Sequence, residues 1–392
     1  MHTYNTTPQA TSRAKTVFIS DLDTPCLLLN EAQMNCNISR LHSRLASKTV
    51  TFRPHLKTTK AIEIARRMVT GAHGPATVST LNEAEAFARA GIADITYAVG
   101  ISPQKILRVQ ALLRQGVNLT VLLDNVEQAE AVAAASQQDV PIPALIELDC
   151  DGHRSGVHCD DHEQLLAIAH TLNASANLRG VLTHAGESYT ATNRDALVAA
   201  AENERASAVK AAEILRHAGH SCPVVSIGST PTALFAENYD GVTEVRAGVF
   251  AFFDLVQAGL GVCSPHDIAV SVLATVIGHQ REKGWTIIDA GWTALSSDRG
   301  TESQRVDHGY GLVCDLEGNL LDGLFVTNAN QEHGIIARRA DFQGSIPDLP
   351  YGTKVRILPI HACATVEQHD AYNVIGADKQ TITAQWTRLK GW

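Results

Sequence analysis

From about residue 31 to residue 260 the chain alternates between two hydrophobic periods. Apolar positions recur every three to four residues over 31–46, 61–69, 81–90, 102–113, 126–135, 162–172 and 196–218, the spacing of helices that bury one face. Between these lie short apolar, β-prone runs at 49–52, 76–78, 95–98, 119–122, 144–148, 178–182, 224–227 and 243–245, which are predicted strands. Eight strand–helix units in roughly 230 residues predict a (β/α)8 TIM-like barrel, because a doubly wound sheet more often stops at five or six strands. After Gly261 the helical period fades. Runs at 268–279, 285–289, 310–315, 323–327, 334–338, 354–359 and 381–387, separated by Gly, Pro, Asp and Asn turns, predict an all-β domain. The division expected is a barrel over 31–262 and a C-terminal β domain over 263–392, joined by a strand within 16–30. The sequence has no internal repeat and no low-complexity linker, so the two are expected to pack closely.

Composition narrows the function classes. At 392 residues and 45% hydrophobic content the chain can bury one large core and a second domain. The net charge of -9, with no long Lys/Arg run, argues against a nucleic-acid backbone as partner. The polar first fifteen residues lack the apolar stretch of a signal peptide, and nothing later approaches a membrane span, so a cytoplasmic location is expected. Eight cysteines scattered along the chain do not form the crowded pattern of a disulfide scaffold.

A barrel keeps its chemistry at the C-terminal ends of its strands. Those ends carry polar residues here. The first gives Arg53, His55 and Lys57, the fifth Asp149, His153 and Arg154, the sixth His184 and Tyr189, the seventh Gly228, Ser229 and Thr230, and the eighth Arg246 and Gly248. Lys57 follows a strand and a proline, where its amine can form a Schiff base with a carbonyl compound; a solvated loop lysine has the same sequence appearance. At the seventh end, Gly228-Ser-Thr-Pro231 leads into a helix start, which suits a phosphate as well as an ordinary helix cap. Gly248 after the eighth strand fits the same anion site. An amine at strand one and a phosphate cradle at strands seven and eight together describe a pyridoxal phosphate pocket.

His361-Ala-Cys363 follows the predicted strand 354–359, and an i, i+2 spacing in extended chain puts imidazole and thiolate on one face. Sulfur with nitrogen favours zinc, and two protein ligands leave positions open for water or substrate. An isolated His-x-Cys is also met as a buried cysteine beside a hydrogen-bonded histidine. Asp298, Asp307 and His308, in a polar loop, are expected to face water.

Arg53-Pro-His-Leu-Lys57, Glu147-Leu-Asp-Cys-Asp-Gly-His-Arg154, Thr183-His-Ala-Gly-Glu-Ser-Tyr189, Ser226-Ile-Gly-Ser-Thr-Pro-Thr232, Asp289-Ala-Gly291, Glu332-His-Gly334 and His361-Ala-Cys363 occur in one order along nearly the whole chain. In this they resemble the D-serine dehydratase and D-threonine aldolase family, pyridoxal phosphate enzymes with an alanine-racemase-like fold. The resemblance implies that Lys57 is the Schiff-base lysine, that Tyr189 faces the pyridine nitrogen, and that Ser226, Gly228, Ser229 and Thr230 hold the phosphate. His55, Arg154, His184 and Gly248 are further cofactor-site candidates. It also implies a homodimer and a metal on His361 and Cys363. Aldolases of the family typically carry His-x-Asp there and use a harder metal, whereas dehydratases carry His-x-Cys. Two positions depart from the usual pattern, Thr59 in Lys57-Thr-Thr-Lys60 and Glu187 in Gly186-Glu-Ser-Tyr189. The activity expected is a zinc- and pyridoxal-phosphate-dependent dehydration of a D-3-hydroxy amino acid, with an aldolase, a racemase and a non-catalytic cofactor carrier as alternatives.

Overall fold

The computed structural model describes residues 16–152, 154–173 and 177–392. Eight parallel strands, Thr51–Phe52, Ala76–Val78, Asp94–Gly100, Asn118–Leu123, Ala144–Asp149, Leu178–Thr183, Val224–Ile227 and Glu244–Val245, follow one another around a barrel. The first pairs with the eighth through Thr51–Glu244 and Phe52–Val245. The remaining seam closes just beyond the first strand, where the Leu56 amide donates to Thr77 O and the Thr77 amide to Pro54 O, each at 2.8 Å. Pro54 ends the first strand after two residues, because it has no N–H to continue a ladder. Lys57 therefore emerges directly from the closure.

The crossover helices start where side-chain caps satisfy their first amides: Asn30 accepts from Gln33, Thr80 from Glu83, Asn125 from Gln128 and Asn193 from Ala196. Each cap stabilises its helix by about 1 kcal/mol. Inside the barrel, Leu122, Leu145 and Leu182 form an apolar layer. Below it, at the N-terminal end, the Arg53 guanidinium pairs with Glu244 at 2.6 Å and with Asp94 at 3.0 Å. The layer separates that network from the C-terminal end, where the functional groups gather.

The second unit is a ten-stranded, mostly antiparallel sheet. It includes Val270–Gln280, Trp285–Ile288, Leu312–Cys314, Leu320–Ala329, Gly334–Arg338, Lys354–Leu358 and Thr381–Thr387. The N-terminal strand Cys26–Asn30 enters this sheet, antiparallel to Val270–Gln280 and parallel to Ala371–Ile375. Its side chains alternate, Leu27 and Leu29 packing into the main core and Leu28 into a smaller one with Ile19, Leu273 and Ile375.

Two features differ from the sequence expectation. Ala371–Ile375 is a strand that the hydrophobic pattern did not single out; it is five residues long, and long-range pairing on both sides holds it. The segment carrying the His-x-Cys motif is not extended. His361 caps the short helix Ala362–Glu367, so Cys363 lies in its first turn. Among the described residues, no helix is long and apolar enough to cross a membrane.

Candidate active site

A cavity of about 460 Å³ opens at the C-terminal end of the barrel, against the β domain. Its wall includes His55, Lys57, Arg154, His184, Tyr189, Gly228, Ser229, Thr230, Gly248, His361 and Cys363. Residues from five strand ends and from the C-terminal domain thus reach one space. His153 lies outside the described residues. Ser226 stands behind the wall: its buried hydroxyl donates to Glu244 Oε1 at 2.6 Å and accepts from Arg246 Nη1 at 2.6 Å. That hydroxyl is committed to the barrel interior, which corrects its expected place among the phosphate ligands.

Lys57 lines the cavity and is open to it. Loss of hydration on the cavity floor lowers the pKa of its ammonium, while the Cys363 charge pushes it back up. His55 and His184 are held neutral. Loss of hydration drives His55 well below its ordinary value and His184 down to about 3. His184 Nδ1 is 2.9 Å from Gly228 O, so this nitrogen carries the proton and Nε2 keeps its lone pair. The Tyr189 hydroxyl lies beside the Thr230 amide, and burial raises its pKa. In this structure Tyr189 therefore belongs to the strand-seven end of the cavity.

The strand-seven turn is built differently from a set of free amides. The Gly228 amide donates to Glu204 Oε1 at 2.9 Å, and the Ser229 amide to Thr232 Oγ1 at 2.9 Å. What faces the cavity unclaimed is the Thr230 hydroxyl, buried without a partner among the described residues. Gly228 has φ +142°, and a Cβ there would sit 1.9 Å from Arg246 O. A Cβ at Gly248 would come within 3.1 Å of His55 O. These glycines let the strand-seven turn pack against the Arg246 backbone and the strand-eight end against His55, with both positions still lining the cavity. A buried orphan hydroxyl at the strand-seven turn and an amine in the same cavity fit pyridoxal phosphate.

The His361–Cys363 pair converges although the chain is not extended, because the helix start turns both side chains into the cavity. Burial opposes a charge on either, but Asp298 Oδ2 lies 2.7 Å from His361 Nδ1, and the imidazolium and thiolate stabilise each other. The ring is raised to about 11 and the thiol is lowered. Thr58 Oγ1 contacts Cys363 Sγ at 3.1 Å. A thiol whose pKa is lowered, beside a histidine oriented by a carboxylate, is a donor set that fits zinc.

Asp298 was expected in water and is instead the partner of His361 in the cavity wall. Asp307 pairs with Arg299 at 2.7 Å, and His308 Nδ1 meets Arg339 at 2.8 Å, so neither is simply solvated. Arg154 lies 3.9 Å from Glu147, not from Asp149 or Asp151, and its side chain is 51% exposed at the mouth. Glu187 is exposed, and its amide donates to Asp151 at 2.8 Å. Thr59 is buried, its carbonyl receiving the Tyr372 hydroxyl at 2.7 Å. Glu332 and His333 are exposed outside the cavity wall; Glu332 accepts from Thr293 at 2.9 Å.

Residues 29–256 match the alanine racemase N-terminal domain, and residues 269–375 match a putative serine dehydratase domain. The chain is 51% identical over 375 residues to D-threo-3-hydroxyaspartate dehydratase of Delftia sp. (strain HT23), covering 95% of this chain and 98% of that one. It is 30% identical to D-serine dehydratase of Dictyostelium discoideum, over 93% and 96% of the two chains. A solved D-threo-3-hydroxyaspartate dehydratase, a cysteine-to-alanine variant in its metal-free form, superposes with a TM-score of 0.91 at 50% identity, covering 97% of this chain and all of that one. Barrel, β domain and site define an alanine-racemase-like protein. Within that class the chain belongs to the family that joins this barrel to a serine dehydratase domain.

Proposed function

We propose that the protein is a D-3-hydroxy amino acid dehydratase that binds pyridoxal phosphate and zinc, with D-threo-3-hydroxyaspartate as the foremost substrate. The reaction removes the Cα proton and the β-hydroxyl as water; the resulting enamine hydrolyses to a 2-oxo acid and ammonia. The observation that carries this reading is the 3.1 Å contact between Thr58 Oγ1 and Cys363 Sγ. It joins the lysine-bearing segment to the metal-ligating pair, so a carbon next to the amine and an oxygen next to the thiolate can belong to one small molecule.

Pyridoxal phosphate, when bound, delocalises negative charge from Cα, and zinc, when bound, withdraws electrons from the β-oxygen. Lys57 would hold the cofactor covalently. Its Nζ would remove the Cα proton, and loss of hydration, which disfavours the ammonium, favours that basic form. His361 and Cys363 would hold the metal, with Asp298 fixing the ring so that Nε2 is left for coordination. Thr230 and the strand-seven turn would hold the phosphate, with the Tyr189 hydroxyl beside them, and His55 and His184 would lie along the ring. Arg154, exposed at the mouth, offers a cation to a carboxylate of the substrate. The 51% identity to a D-threo-3-hydroxyaspartate dehydratase supports the choice of substrate. We also propose a homodimer and a cytoplasmic location.

The test is product analysis. D-threo-3-Hydroxyaspartate, D-serine and D-threonine should yield ammonia and the matching 2-oxo acid from at least one, with none from the L-forms. A chelator should abolish turnover and zinc should restore it. Glycine and an aldehyde as main products would replace the dehydratase by an aldolase. Full activity after exhaustive metal removal would remove the functional role of His361 and Cys363.

A further inference from the structure

Behind the cavity wall runs the 24-residue helix Arg194–His217. One of its turns presents two adjacent polar residues to the barrel top. Asn203 Nδ2 donates to Cys150 O at 2.8 Å, at the end of the fifth strand. Glu204, fully buried, accepts from the Ala185 amide after the sixth strand and from the Gly228 amide after the seventh, each at 2.9 Å on the same oxygen, Oε1. The Gly228 peptide is held from the other side too, by His184 Nδ1 on its carbonyl at 2.9 Å.

A carboxyl group behind an anion site is unexpected, because a carboxylate there would repel phosphate. Two observations resolve the conflict. The second oxygen, Oε2, is buried and makes no hydrogen bond among the described residues. Burial accordingly raises the pKa of Glu204, against the Thr232 hydroxyl, the two amides and the Arg246 guanidinium, which favour the charge. Burial thus works against a negative charge here, while Oε1 remains the shared acceptor of both amides.

We propose that Glu204 is a positioning residue for the cofactor phosphate. Together with His184 it clamps the Gly228 peptide and so fixes where the Thr230 hydroxyl and the Gly248 wall meet an anion, without touching that anion itself. This rests on the pyridoxal phosphate reading above.

The experiment titrates the apoprotein with pyridoxal phosphate and, separately, with pyridoxal, which has the same ring and aldehyde but no phosphate. In Glu204→Ala two buried amides lose their acceptor, and pyridoxal phosphate should bind about 30-fold more weakly while pyridoxal changes less than about 3-fold. Glu204→Gln keeps a neutral acceptor and should stay within about 3-fold of wild type for both ligands. Where Glu204→Ala does not fold, Glu204→Asp, one methylene too short to reach both amides, takes its place with the same expected split. Equal losses for the two ligands would show a merely structural residue, and an unchanged phosphate preference would show no role; either overturns the inference. Wild-type protein that binds neither ligand would instead overturn the cofactor reading.

Discussion

Asp298 Oδ2 stands 2.7 Å from Nδ1 of His361, across a chain separation of 63 residues. A metal-ligating imidazole whose other nitrogen is held by a carboxylate keeps one tautomer and one ring orientation. Asp298→Ala should therefore weaken zinc binding about 10- to 100-fold, measured by competition with a chromogenic chelator. Binding of pyridoxal phosphate to the same variant should be unchanged. Zinc affinity equal to wild type would reduce the contact to an ordinary surface ion pair.

Lys57 provides the amine that reaches the cavity beside the metal pair. Borohydride treatment of the yellow holoprotein should bleach it and fix the cofactor to the peptide containing Lys57, identified by mass spectrometry. A label on another lysine, such as Lys60, which the structure pairs with Glu83 and Glu367, would displace the assignment.

The two glycines of the phosphate wall should respond differently. At Gly228 a methyl would enter the Arg246 backbone, and the φ of +142° is strained for any L side chain, so Gly228→Ala should cost about 2–4 kcal/mol of apoprotein stability. At Gly248 the nearest atoms are 3.1–3.4 Å away and φ is not left-handed. Gly248→Ala should cost only about 0.5–1.5 kcal/mol and still weaken pyridoxal phosphate binding. Urea denaturation of the apoproteins alongside cofactor titration separates the two effects.

His184 gives a dependence on pH with a definite sign. Its folded pKa, about 3, lies below the unfolded value near 6.5. Between these values the unfolded chain binds a proton that the folded chain refuses, so stability is intact above about pH 6.5 and falls as the pH drops toward 3. Replacing His184 by Gln should flatten the slope of apoprotein stability between pH 6 and 5 by up to about 1.4 kcal/mol per pH unit. An unchanged slope would mean that His184 is protonated in the fold.

The chain itself determined the two-part architecture. Helical and strand periods alternate regularly through the barrel, and the switch to β runs after Gly261 reflects strands that bury one or both faces. The positions of Lys57 and the Gly228–Thr230 turn were also legible, since a barrel places strand ends together whatever lies between them, whereas His361 and Cys363 were legible as a motif and are turned into the cavity by a helix start that the local pattern did not show. Long-range contacts decided the rest. Whether an amide is free depends on what packs behind it, and only the arrival of Glu204 from a distant helix turn shows that the Gly228 amide is taken. Ser226 carries the same hydroxyl as Thr230, yet it faces Glu244 and Arg246 inside the barrel while Thr230 faces the cavity. Asp298 lies in a polar loop that locally reads as solvated, and it becomes part of the site because the fold brings His361 to it. Local pattern encodes which face of an element is apolar; the partner of a polar group is set by which elements meet.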